Sequence, residues 1–301
     1  MKAETIFSIK EKKNFIKSFI DFMVNSYLHK RSSKLIKEGR RQLFVYSFDH
    51  IGHKININGL YEGAELEFFF KWLSKSYPES YNGTALDIGA NIGNHSLFFS
   101  DFFSKVKSYE PNKRTYLALN ANSQLVENIE TYNFGISDKE CKLILHTNKN
   151  NVGGSFISNT HEKFENLLLQ EIQLFKLDDI IDENEKIKLI KIDVEGHECK
   201  TLLGAKATIM KNSPLILFEL NSTAFIDGSS PEIEILKDFG YNKFATIESY
   251  PNFFKNPNSR FRRVINFIFS SGKNIVINER IIPGNYYFII AIPESYKAIN
   301  Y

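Results

Sequence analysis

From about residue 84 onward, short apolar runs alternate with segments whose apolar residues recur every three or four positions. The first pattern reads as buried strand and the second as helix packed on one face. Strands are predicted at Thr84–Ile88, Val106–Glu110, Ile129–Phe134, Ile187–Ile192, Pro214–Phe218 and Tyr286–Ile292. Helices are predicted at Asn94–Phe103, after Pro111, at Leu202–Met210 and at Pro231–Phe239. A proline at the start of a helix loses no hydrogen bond, because the first N–H groups have no partner within the helix. Strand and helix in alternation predict an α/β fold with a doubly wound, mostly parallel sheet. Ligands of such sheets sit outside the carboxyl ends of the strands, at the point where the strand order reverses. The residues that follow each strand are therefore the candidates for chemistry.

Two stretches depart from this alternation inside a main domain predicted over residues 51–301. In residues 140–176, Cys141–His146 and Glu171–Phe175 read as a hairpin-like pair, and the Gly- and Asn-rich stretch Asn148–Ser155 reads as its tip, either over the ligand cleft or exposed with no substrate role. Residues 249–284 mix Tyr250, Phe253, Phe254, Phe261 and Phe267 with Lys255, Arg260, Arg262 and Arg263. Rings of this kind stack on sugar faces, and arginines pair with phosphate; an ordinary amphipathic helical lid is the other reading of the same residues. Ahead of the domain, residues 1–50 are predicted to form a basic helical extension. Phe15, Ile16, Phe19, Ile20, Met23, Val24 and Tyr27 recur at helical spacing, and residues 1–41 carry eleven Lys/Arg against four acidic residues. Such a helix packs on the domain, pairs in a homodimer, or makes a peripheral contact with anionic lipid.

Composition narrows the classes. The hydrophobic share of 43% and charged share of 24% are those of a folded globular chain. A net charge of +3 gives no footprint for a nucleic-acid partner. Cys141 and Cys199 are too few for a disulfide framework or a thiolate zinc site, which fits a reducing compartment. No apolar run reaches membrane-spanning length, and the first residues do not read as a secretory signal. The expected location is the cytoplasm, with the inner face of the membrane within reach of the basic helix.

After the first strand comes Asp87-Ile-Gly-Ala-Asn-Ile-Gly93. Gly89 and Gly93 allow backbone to approach a ligand closely and a helix to start tight against the strand. Because position 91 is Asn, this is not the G-x-G-x-x-G fingerprint of dinucleotide enzymes. That weakens the alternative of an NAD-dependent oxidoreductase. Glu110 ends the second strand, where an ionised carboxylate accepts hydrogen bonds from ribose hydroxyls. A second cluster, Lys191-Ile-Asp193-Val-Glu195-Gly-His197-Glu198, follows the Ile187–Ile192 run. A lysine in a central parallel strand needs a partner, since both faces are buried. Lys191 and Asp193 are expected to point side by side into the crevice, with Glu195 and His197 in the following turn and Glu219 reaching in from the next strand. The same carboxylates would also serve as helix caps, and His95 reads as a packing or capping residue. As a catalytic set, His197 or a carboxylate at 193, 195 or 219 would act as a general base. A divalent cation on the same oxygens is the less favoured version.

The segments Leu86–Asn94, Tyr109-Glu-Pro111, Gly135-Ile-Ser-Asp138 and Ile190–Glu198 together resemble the FkbM family of methyltransferases, in order and spacing, over roughly residues 60–247. The resemblance implies a class I methyltransferase fold, S-adenosyl-L-methionine as cofactor, and O-methylation of sugar or polyketide hydroxyls. It places Gly89, Asn91 and Gly93 around the methionine part of the cofactor, with Asp87 and Asn94 in the same segment. Glu110 falls at the ribose and Ser137 or Asp138 at the adenine. The expected function is O-methylation of a sugar or glycan precursor, such as a nucleotide-linked sugar, in bacterial surface polysaccharide synthesis. A non-catalytic glycan- or membrane-binding protein on the same fold is the remaining alternative.

Overall fold

Each apolar run becomes a strand because both faces of the sheet it joins are covered. The computed structural model of the chain describes residues 14–148, 151–158, 167–250 and 272–296. Helices α1 (Phe15–Lys37), α2 (His50–Asn58) and α3 (Gly63–Ser76) come first. The alternating part starts with β1 (Thr84–Ile88), α4 (Asn94–Phe99), β2 (Lys105–Tyr109), α5 (Lys113–Ser123) and β3 (Ile129–Tyr132). Four strands then form a separate small sheet: β4 (Gly135–Ile136), β5 (Cys141–Asn148), β6 (Asn151–Ser158) and β7 (Leu167–Phe175). The chain returns through α6 (Leu177–Ile180), β8 (Ile187–Ile192), α7 (Glu198–Gly204), α8 (Lys206–Asn212), β9 (Leu215–Leu220) and α9 (Pro231–Asp238). It ends in β10 (Lys243–Tyr250), β11 (Gly272–Asn278) and β12 (Tyr286–Ile292).

Among the described residues the large sheet has the order β11-β10-β12-β9-β8-β1-β2-β3. The pairings from β9 through β8, β1 and β2 to β3 are parallel, and β12, β10 and β11 close the other end in antiparallel fashion. The fold is thus a doubly wound α/β sheet, with its switch point between β1 and β8. Alternate side chains of β1 and β8 enter opposite cores. Leu86, Ile88, Ile190 and Ile192 pack with Leu202, Ile209, Ile233 and Leu236. Ala85 and Leu189 pack with Leu66, Phe69, Phe70, Leu73, Phe98 and Phe99 on the other face. No helix among the described residues is long and apolar enough to cross a membrane.

Several predicted boundaries shift, each for a local reason. The helix expected to run to Phe103 stops at Phe99, because Asn128 Nδ2 hydrogen-bonds the carbonyls of Ser100 and Phe103 at 3.0 Å each. Pro111 does not open α5. Asn112 is the cap, its side-chain oxygen accepting from Arg114 N at 3.0 Å. The single helix expected over Leu202–Met210 is two, broken at Ala205. Asp178 from α6 caps the second one through Ala207 N (3.0 Å), Thr208 N (2.8 Å) and Thr208 Oγ1 (2.8 Å). Strands β5 and β7 do pair antiparallel, but they are not one hairpin with a tip at 148–155. That stretch enters β6, which pairs with the other edge of β5. Of the aromatic and basic residues of 249–284, those from Phe253 to Phe267 lie outside the described residues, and β11 adds a strand to the edge of the large sheet.

Candidate active site

Two turns meet above the carboxyl ends of β1 and β8. The first contains Gly89 (φ 79°), Asn91 (φ 50°) and Gly93 (φ 88°), and the second Glu195 (φ 47°) and Gly196 (φ 88°). At Gly89 a Cβ would lie 1.8 Å from the Asp193 carbonyl oxygen, so the two turns touch only because residue 89 has no side chain. Beside them lies a cavity of about 310 Å³. Its walls include Gly89, Asn91, Glu110, Asp193, Glu195, His197 and Glu219, seven of the residues predicted from sequence.

Glu110 is fixed by backbone. Its Oε2 accepts from Asn91 N and its Oε1 from Asn112 N, both at 2.8 Å. The Thr115 side chain also bonds this carboxylate, and an ionised carboxylate has acceptor capacity beyond these three bonds for a ligand hydroxyl. Burial pushes the Glu110 carboxyl up to about 7, against the lowering effect of these bonds. The wall on this side is apolar: Ile136 from β4, Leu145 from β5 and Leu174 from β7. The small sheet is held there by Asn112 Nδ2 to Thr147 Oγ1 (3.2 Å) and Gln170 Nε2 to the Pro111 carbonyl (3.1 Å).

The opposite end is acidic. Glu219 is raised to about 8 by burial first, then by Asp193 and Glu62, with Lys191 acting the other way. Glu195 is raised by burial and by Asp193 and Glu198. His197 is lowered by burial and by Lys200, and its Nε2 lies 2.9 Å from Ser137 Oγ. Neither Asp193 nor Glu195 caps α7, whose N-cap residue is His197 with no side-chain cap bond.

The remaining predicted site residues stand behind the wall. Lys191 lies beside Asp193 as expected, but it does not line the cavity as Asp193 does. It is 2% exposed, with Nζ 3.4 Å from Asp87 Oδ1 and 3.2 Å from Asp193 Oδ2. Burial alone would lower its ammonium; the two carboxylates outweigh that and raise it above the usual lysine range. Asp87 and Lys191 are direct neighbours in the β1–β8 register, so the strand pairing itself creates the ion pair. Asp87 is wholly buried and accepts from Ser96 Oγ at 2.6 Å. Asn94 exchanges two hydrogen bonds of 3.0 Å with the backbone of Tyr61. Gly93, Ser137 and Asp138 also do not line the cavity. Among the described residues no group of three or more His, Cys, Asp and Glu is arranged to hold a metal ion.

Sequence reasoning missed the roof. His50 and Ile51 of α2, and Tyr61 between α2 and α3, also line the cavity. Ion pairs Arg40–Glu67 and Arg41–Asp101, and the Asn122 side chain bonded to Phe44 N (2.7 Å) and Phe44 O (3.0 Å), strap residues 40–44 to the body. Next to Tyr61, Glu62 (φ 56°) places Oε2 3.1 Å from His95 Nε2. The i, i+3, i+4, i+7 spacing of Leu66, Phe69, Phe70 and Leu73 signals α3, but nothing in the sequence signals that Tyr61 reaches the cavity.

A glycine turn after β1, a backbone-pinned carboxylate after β2 and an acidic cluster after β8 and β9 define a methyltransferase of the class I type. The sequence matches the methyltransferase FkbM domain family over residues 87–261, and the chain belongs to that family. Membership implies S-adenosylmethionine as methyl donor. Among solved structures, the chain is similar to the methyltransferase FkbM from Methylobacillus flagellatus (20% identity, 55% of this chain and 41% of that one, TM-score 0.32). It is also similar to precorrin 8W decarboxylase from Methanobacterium thermoautotrophicum (13% identity, 76% and 89%, TM-score 0.40). A third similar structure is the precorrin-6y C5,15-methyltransferase from Geobacter metallireducens (14% identity, 76% and 87%, TM-score 0.37). The chain spans 41% of the length of the Methylobacillus protein. No curated protein matches it.

Proposed function

We propose that the protein is an S-adenosylmethionine-dependent O-methyltransferase acting on a hydroxyl of a sugar or glycan precursor. The observation that carries this reading is the pairing of Glu110, held by two backbone N–H groups, with an acidic end of the same cavity. The residues fit the cofactor. Glu110 would take the ribose hydroxyls, Ile136, Leu145 and Leu174 the adenine, and the turn at 89–93 the methionine part, while the nearby carboxylates suit a sulfonium. When bound, that group supplies an electrophilic methyl.

The chain's own contribution is to align the acceptor and remove its proton. Alignment alone is worth roughly 7–11 kcal/mol of barrier. Glu219 is the base in this reading, with Asp193 beside it held by Lys191. Its raised value brings it close to working pH, and a positive charge brought near would draw it down into the ionised form. His197 is less suited, because its Nε2 already faces Ser137. The acidic wall favours a neutral acceptor over one that places phosphate in the cavity. This disfavours the part of the sequence reading that involves a nucleotide diphosphate near the reacting hydroxyl.

Thermal shift tests the cofactor half: S-adenosylhomocysteine should stabilise the protein and NADH should not, and the reverse would move it to the oxidoreductases. Methyl transfer from labelled donor to glycan extracts, read by mass spectrometry, tests the acceptor half. Labelling of proteins or nucleic acids alone would refute it.

A further inference from the structure

The first half of α1 stands free of the body. Residues 14–27 are all exposed, and among them Phe15 (83% exposed), Ile16, Phe19, Ile20, Phe22, Met23, Val24 and Tyr27 are at least half exposed. At about 100° per residue these eight cover an arc of roughly 200°, and Lys17, Ser18, Asp21 and Asn25 share the rest. So many neighbouring apolar side chains left in water mark a surface that is covered when the protein works.

The second half of the helix indicates what covers it. Continuing the same turn angle, Lys30, Lys34 and Lys37 fall on the apolar face, further along, so the stripe passes from hydrocarbon to cation. Lys30 and Lys37 make no ion pair among the described residues, and Lys34 has only an exposed contact of 3.6 Å to Glu38. The sequence before the helix adds Lys2, Lys10, Lys12 and Lys13, and residues 1–41 carry a net excess of seven basic groups, eleven against four. A second copy of α1 complements this poorly. Parallel pairing sets lysine against lysine, and antiparallel pairing lays lysine on phenylalanine. An anionic lipid surface complements both parts, taking the rings into its acyl boundary and the lysines at its headgroups. Between α1 and α2, Met23, Val24, Tyr27, Leu28 and Ile57 line a groove.

We infer that α1 is an interfacial helix that docks the protein on an anionic lipid surface. The inference does not depend on the reaction proposed above. It does carry a consequence for it: α1 packs on α2, and the first turn of α2 lines the cavity, so the acceptor site is one element away from the docking helix.

The test is co-sedimentation of the full chain with vesicles of phosphatidylcholine alone or with added phosphatidylglycerol. Binding to the anionic vesicles that weakens with salt is expected, with a loss of about tenfold or more in the triple variant Phe15→Glu, Phe19→Glu, Phe22→Glu. These side chains are in water already, so thermal unfolding of the variant should match the parent and exclude misfolding as the cause. Equal binding to neutral vesicles, or equal binding by the triple variant, overturns the assignment. So does absence of vesicle binding, whether light scattering finds a monomer or a dimer that the triple variant separates.

Discussion

At the scale of single residues, Gly89, Glu110 and Glu219 carry the argument. Gly89→Ala puts a Cβ on the Asp193 carbonyl at a positive φ, so the turns must separate. We expect a loss of about 2 kcal/mol or more in denaturant unfolding. Glu110→Ala removes a buried acceptor that two N–H groups hold in place. If it binds ribose, affinity for S-adenosylhomocysteine falls about 10- to 100-fold by calorimetry, the worth of hydrogen bonds to a charged group. Glu219→Gln should lower kcat by about 10²–10⁴ and remove the rise of kcat/KM with pH toward about 8, the profile that reports the free enzyme. Stability gives a second readout. Folding raises this carboxyl above its ordinary value, so the folded state holds the extra proton and stability falls as pH climbs from the carboxylate range to about 8. Glu110 adds the same slope up to about 7. In Glu219→Gln the profile should flatten while the Glu110 share persists, measured by chemical denaturation across that range.

At the scale of elements, adjacent strands decide what each charged residue can do. Lys191 is legible in the sequence as an anomaly, a lysine inside an apolar run. Its role is not legible, because its partner Asp87 lies more than a hundred positions earlier and meets it only through the β1–β8 register. Lys191→Met leaves Asp87 and Asp193 without their cation, and the cost expected for breaking a buried pair is about 3–5 kcal/mol. A small drop with large loss of kcat would instead place Lys191 in the chemistry. The same limit applies to α8, capped by Asp178 from another helix, and to the roof of the cavity. Tyr61→Ala tests that roof: a rise of KM for the acceptor with cofactor affinity kept is expected, since the charges acting on Tyr61 include Glu219 and Asp193 of the acidic end.

At the scale of the whole molecule, the parallel half of the sheet follows from the alternation of strand and helix in the sequence. Strands Thr84–Ile88 and Ile187–Ile192 fall where the pattern puts them, because a fully buried strand must be apolar along its length. The antiparallel end and the four-stranded side sheet do not follow from it, since periodicity marks a strand without naming its neighbour. By itself, the sequence determined the layered architecture, the glycine turn, the acid at 110 and the acidic cluster at 193–197, all of them local patterns. Only the tertiary structure decided which of these charges face the cavity and which neutralise each other beneath it. It also brought His50 and Tyr61 over the site and left the apolar arc of α1 in water. Burial and pairing depend on residues distant in the chain, and it is they that set the state of every ionisable group here.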